Sequence, residues 1–239
     1  MIILQLSALA ICAFSTVVRA RGAWRGKGVP LFSCFLLMTV SVALSIRPVY
    51  AIVDEALGGI NITNVLLRVA LFIVFFTLGK VIAQAFDSMH VEWLVSGRPG
   101  IWVLGFAMGI TMASFVLGAY AGGGVDPDPT PAGHVYFNTW RFYLAYVSVC
   151  LLVMLLPVAF DPRRSDLYRW SAILQSIGFT MVFVVPFATL AVLVVHAADT
   201  FVKHISQLSI IFVASGLMIV WLASWRSKRK AAKLQIEAA

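Results

Sequence analysis

The chain has 239 residues, of which 61% are hydrophobic and only 12% charged. A soluble domain carries about 25% charged residues, so this composition cannot cover a water-exposed surface and points instead to lipid, whose tails accept apolar side chains. The net charge of +8 does not indicate nucleic acid, because most of the Lys and Arg residues lie in short segments between apolar runs.

An apolar helix needs about 20 residues to cross about 30 Å of hydrocarbon. Seven stretches approach that length: 2–19, 30–52, 63–85, 100–121, 138–160, 170–197 and 206–225. The expected fold is all-α, a polytopic bundle of about seven transmembrane helices over residues 1–225. A short basic tail, 226–239, follows.

The first stretch has no cation before it, and Arg19, Arg21, Arg25 and Lys27 after it. That is the reverse of a secretory signal and predicts an uncleaved anchor with its start outside. The second closes on Arg47-Pro48-Val49-Tyr50, followed by Asp54 and Glu55. The third carries Arg68 and Lys80 near its ends, where long side chains snorkel to headgroups. Residues 86–99 mix Val91, Trp93, Leu94 and Val95 with polar groups, a pattern suited to lying in the membrane surface.

The fourth stretch bears Gly105, Gly109 and Ala113 at four-residue spacing. Small residues on one stripe let helices approach closely, either inside the bundle or at a homodimer face. Residues 121–135 are rich in Gly and Pro and read as an external loop. Its two carboxylates, Asp126 and Asp128, are too few for a calcium site. The fifth stretch opens with Asn138, Arg141, Tyr143 and Tyr146. The sixth holds Pro186 near its centre, where proline removes a backbone hydrogen bond and bends the helix, as a static kink or a hinge. Gln175 and Ser176 on it suit interhelical hydrogen bonding. His196, Asp199, Lys203 and His204 follow before the seventh stretch, whose basic extension is expected to rest on anionic lipid.

Loop charge sets orientation. With the N-terminus outside and the C-terminus cytoplasmic, thirteen Lys and Arg fall inside: the four after the first stretch, Arg98, Arg163, Arg164, Arg169, Arg226, Lys228, Arg229, Lys230 and Lys233. Arg47, Arg68, Arg141 and Lys203 fall outside. The seven Trp residues sit in loops or near helix ends, the headgroup level that half-polar rings prefer. A multi-pass protein of a bacterial plasma membrane is the expected setting.

Several chemistries lack their residues. All ten carboxylates lie in loops or at helix ends, which disfavours proton or sodium coupling. The last stretch has no Schiff-base Lys, the four His residues avoid helix centres, and no His-Glu-x-x-His occurs. Val213-Ala214-Ser215-Gly216 lacks the first Gly of an intramembrane serine protease motif. Cys12, Cys34 and Cys150 sit within apolar runs and read as small hydrophobes. No catalytic residue, cofactor or metal is expected.

One constellation stands out at the outer level: Arg47, Tyr50, Asn64, Arg68, Asn138, Arg141 and His196. Asn64 and Arg68, at i,i+4, share a helix face. Three arginines lie where positive charge is disfavoured. They either snorkel or pair with Asp54, Glu55 and Asp199, or they converge on a pocket for an anionic ligand, with guanidinium forks as donors.

The order of features resembles a family of actinobacterial multispanning membrane proteins, some labelled as transporters. The carrying residues are the basic loop Arg21 to Lys27 before Pro30, Pro48-Val49-Tyr50, Asp54, Gly58, Gly59, Asn61, Asp128-Pro129-Thr130 and the aromatic stretch Tyr136 to Tyr146. The resemblance covers roughly residues 20–200. It implies a seven-helix module usually followed by a soluble cytoplasmic domain, whereas this chain stops soon after its seventh stretch. It implies no substrate and no catalytic residue.

These features favour a non-enzymatic module for sensing, binding or assembly with a membrane or cytoplasmic partner protein. A small transporter or permease subunit, and a membrane immunity or exclusion factor, are the alternatives.

Overall fold

The computed structural model describes residues 2–119, 130–192 and 198–237, and among them no strand occurs. The described helices are α1 (Ile2–Trp24), α2 (Val29–Leu44), α3 (Arg47–Ala56), α4 (Ile62–Ala85), α5 (Met89–Ser96), α6 (Arg98–Ser114), α7 (Pro131–Phe160), α8 (Asp166–Val192) and α9 (Ala198–Glu237). A π-helix, Phe115–Ala119, extends α6.

Six segments are long and apolar enough to cross a bilayer, and α2 with α3 makes a seventh if that broken pair counts as one span. The protein is therefore an all-α polytopic bundle. Large apolar side chains point outward along its length, among them Phe14, Ile73, Phe106, Val153 and Phe187. Water does not tolerate such a surface over whole helices, and lipid does.

The second stretch is not one straight span. α2 and α3 meet at 95°. Pro48 supplies no N–H to the Leu44 carbonyl and its ring would strike it, so α2 stops at Leu44 and Ile46 turns extended at φ −83°, ψ 116°. The 16 residues of α2 reach only about 24 Å at about 1.5 Å per residue, short of a full crossing.

Residues 86–99 have one face against the bundle and one facing outward, where Met89 and Trp93 are exposed. α5 packs into the bundle, with Val91 and Val95 buried. Tyr146 of α7 donates to the Leu94 carbonyl at 2.8 Å, and Gln84 of α4 donates to Glu92 at 2.7 Å. Its i,i+4 pair Val91 and Val95 faces the core, and its i,i+4 pair Met89 and Trp93 faces outward.

The stripe on α6 also faces the other way. Gly105, Gly109 and Ala113 are exposed, and among the described residues no atom of another element stands within 4 Å of a Cβ built on either glycine. They pack no helix among the described residues, and that face is left to lipid or a second chain. The close approach occurs between α8 and α9 instead. A Cβ on Gly178 would lie 2.6 Å from Val213 Cγ2 and 3.0 Å from the Ser209 carbonyl. One on Gly216 would lie 2.5 Å from Gln175 Cγ. Gly178→Ala is therefore expected to cost about 1.5 kcal/mol, read as a lower melting temperature in detergent.

α7 lies at the centre, touching α4, α5, α6 and α8, and α1 flanks α2 and α9. The core gathers around Phe72, Tyr143, Val147, Leu151 and Phe179. α8 passes through Pro186 without interruption, although that residue has no N–H for the Val182 carbonyl. All three cysteines are buried and free. Ring contacts show which ends coincide. Arg19 near the end of α1 lies over Phe35 near the start of α2 (5.0 Å), and Phe86 after α4 meets Tyr168 near the start of α8 (6.4 Å).

Candidate functional site

The opposite end is built around the start of α4. Gly58 (φ +98°), Gly59 (φ +69°) and Asn61 (φ +62°) adopt left-handed backbone, which glycine and asparagine bear most cheaply. These angles fold α3 back onto α4. Two hydrogen bonds latch it: the Tyr50 hydroxyl donates to Asn61 Oδ1, and the Thr63 amide donates to Asp54 Oδ1 at 3.3 Å. The second places a carboxylate at a helix N-terminus, where the dipole favours it.

Asn64 and Arg68 follow on successive turns of α4, and both are buried. Arg68 is only 4% exposed, so it does not snorkel. Its guanidinium carbon lies 4.2 Å from the Trp140 ring centroid, 5.1 Å from that of Phe137 and 6.0 Å from that of Tyr136. Those distances fall within cation–π range. Phe115 of the π-helix backs Tyr136 at 6.0 Å, and Tyr136 meets Phe137 edge-on at 5.6 Å. Arg141 lies 5.1 Å from the same Trp140 ring.

α7 begins seven residues before the expected 138, because Thr130 caps it and Pro131 opens it. Thr130 Oγ1 accepts from the Gly133 amide at 3.1 Å. Trp140 is therefore not at a helix end. It lies about 14 Å along α7, and Arg68 about 9 Å along α4, at about 1.5 Å per residue.

The cluster holds a buried charge. Arg68 has no carboxylate partner among the described residues, and its Nε is buried without a hydrogen bond. Trp140 Nε1 and Thr63 Oγ1 are likewise buried and unmatched. Arginine and tryptophan side chains only donate. The Tyr136 hydroxyl and Asn138 Oδ1 are buried and unmatched as well, so donors and acceptors both remain; what lacks a counterpart is the charge of Arg68, and the group that fits it is an anion.

Of the expected constellation, Tyr50, Asn64, Arg68 and Arg141 gather around the α4 start and the α7 aromatics. Asn138 shares α7, but its Nδ2 donates to the His134 carbonyl at 2.9 Å. Arg47 does not join; the bend at Pro48 leaves it exposed on α3. His196 lies outside the described residues. Asp54, a candidate partner for arginine, is engaged at Thr63. The sequence reading missed Tyr136, Phe137 and Trp140 as site residues, together with Asn61, Thr63 and Phe115. The signal was the i,i+4 pair Tyr136 and Trp140, matching the i,i+4 pair Asn64 and Arg68.

Comparisons with family models, with curated proteins and with solved structures find no match for this chain.

Proposed function

We propose that this chain is a non-enzymatic binding or sensing module of a bacterial plasma membrane, oriented with its N-terminus outside, which holds an anionic group at Arg68. The observation that carries this reading is a guanidinium 4% exposed, without a carboxylate partner among the described residues, lying 4.2 Å from an indole centroid. Burying a charge without a counter-charge is costly. Desolvated aromatic faces return about 2 kcal/mol, and a bidentate anion adds a full counter-charge and paired hydrogen bonds. The α3 latch roofs this site, so ligand occupancy and α3 docking are coupled. Output passes to a partner protein, and the basic end of α9 rests on anionic lipid.

Titrating inorganic phosphate into protein in uncharged detergent, at constant ionic strength against chloride, tests the reading. A concentration a hundredfold above Kd stabilises by about 2.7 kcal/mol, which raises the melting temperature by several degrees. Arg68→Gln is expected to remove that rise. Equal responses from the two proteins would sink the proposal.

One observation favours a transporter as the second reading. The span holding α2 and α3 is broken at 95°, and broken spans border substrate sites in secondary transporters. Flux of a bound anion into proteoliposomes, abolished by Arg68→Gln, would select it.

A further inference from the structure

α3 is a three-sided helix. Tyr50 and Asp54, at i,i+4, turn to the start of α4, where the Tyr50 hydroxyl donates to Asn61 and the Thr63 amide donates to Asp54. Arg47, Ala51 and Glu55 form a second stripe, which is exposed. Val49, Ile52, Val53 and Ala56, at i,i+3,i+4,i+7, form a third, and it is wholly apolar. Ile52 is 69% exposed, and the exposed Leu57 and Ile60 prolong this apolar edge beyond the helix. No other described α-helix separates apolar from polar residues as sharply.

The position of α3 decides what covers that edge. α2 runs along the bundle, packed on α1 and α4. α3 leaves it at 95°, so it lies across the bundle axis and along the membrane surface. Its neighbours are α2 and α4, and Tyr50 is its buried residue, which places it at the rim of the bundle. The lipid-facing surface is continuous there: Leu36 and Val40 on α2, and Leu66 in the second turn of α4, are all exposed.

We infer that α3 is an interfacial helix, with Val49, Ile52 and Ala56 bedded among acyl chains just below the headgroups and Arg47, Ala51 and Glu55 in water. The partner is the acyl layer rather than headgroup charge. α3 carries one cation, Arg47, against two carboxylates, Asp54 and Glu55, so anionic lipid gains nothing from it, unlike at a basic amphipathic helix. Ten residues bind a bilayer weakly by themselves. The connection to α2 and the two hydrogen bonds hold this helix at the surface, and lipid fixes only which side turns down. One short element thus carries both stripe and latch, and a bilayer that holds Ile52 also holds Tyr50 against Asn61. Nothing in this surface requires an anion at Arg68.

The test places a nitroxide at Ile52→Cys or at Ala51→Cys of the full chain in nanodiscs. Both positions are exposed, so neither label threatens the fold. The natural cysteines are buried, and the unsubstituted protein supplies the background. Relaxation by oxygen, which concentrates in the acyl layer, is compared with relaxation by a neutral nickel chelate, which stays in water. The oxygen-to-nickel ratio is expected to be several-fold higher at Ile52 than at Ala51, and equally so in phosphatidylcholine alone and with phosphatidylglycerol added. Equal ratios at the two positions would put the stripe in water and overturn the inference. Shielding of Ile52 from both reagents would overturn it in favour of a protein partner or a second copy. A contrast that appears only with phosphatidylglycerol would replace the acyl layer by headgroup charge.

Discussion

Arg68→Met is expected to raise the melting temperature of the unliganded protein and, at the same time, to abolish its response to phosphate. The two effects come from one cause. Arg68 is buried beside Trp140, Phe137 and Tyr136 and has no carboxylate partner among the described residues. Methionine is close in length, carries no charge to desolvate, and its sulfur packs well against aromatic rings. Replacing a buried charge by an apolar group of similar volume is commonly neutral or stabilising, by about 1–4 kcal/mol. A gain near the lower end, about 1 kcal/mol, is expected here, because the lost cation–π contacts offset part of it. Arg68→Lys separates charge from shape: it keeps the cation but loses the planar fork, so phosphate binding should weaken rather than vanish. A purely structural arginine, bracing α4 against α7, predicts the opposite sign. Thermal unfolding of Arg68→Met in detergent, with and without phosphate, decides between them; a lower melting temperature without ligand would favour the brace.

The sequence carried the outline of this site better than its members. Charge in an apolar run marks Arg68 directly, and the i,i+4 rule places Asn64 above it. Depth was misjudged, because Thr130 and Pro131 lie in a Gly/Pro-rich stretch whose composition reads as loop. Their role as cap and first residue of α7 depends on local backbone geometry, φ −72° and ψ 152° at Thr130. With α7 starting there, Trp140 moves from the headgroup level to the wall of a buried cation site. Arg47 shows the converse failure. Its sequence distance from Tyr50 suggests a shared site, but the break before Pro48 turns α3 so that Tyr50 is buried and Arg47 exposed. Hydropathy fixes how much of a helix is apolar, not which face meets a neighbour. This is why seven apolar stretches were legible while the α6 stripe and the α8–α9 seam were not.

That distinction has a sharp consequence on a single helix. Gly100, Gly105 and Gly109 all lie on α6, and one added methyl should act oppositely at the first and at the other two. A Cβ on Gly100 would stand 2.0 Å from the Val95 carbonyl oxygen and 2.3 Å from its carbon. Both are backbone atoms of the turn joining α5 to α6, which cannot swing aside as a side chain can. Gly100→Ala must therefore pull α5 away from α4 and α7, loosening buried Val95 and straining the Tyr146 hydrogen bond to Leu94. Overpacking of this kind costs about 3 kcal/mol, and the rigid neighbour places it at the high end. At Gly105 and Gly109 no other element among the described residues stands within 4 Å, so alanine adds only helix preference, a gain of about 0.5 kcal/mol each. Sequence spacing assigns close helix contact to Gly105 and Gly109 and marks nothing at Gly100. Melting temperatures of the three alanine variants in one detergent test whether close contact belongs to the α5–α6 turn. A loss at Gly105 or Gly109 comparable to that at Gly100 would mean that the outward face of α6 is packed against another helix in the membrane.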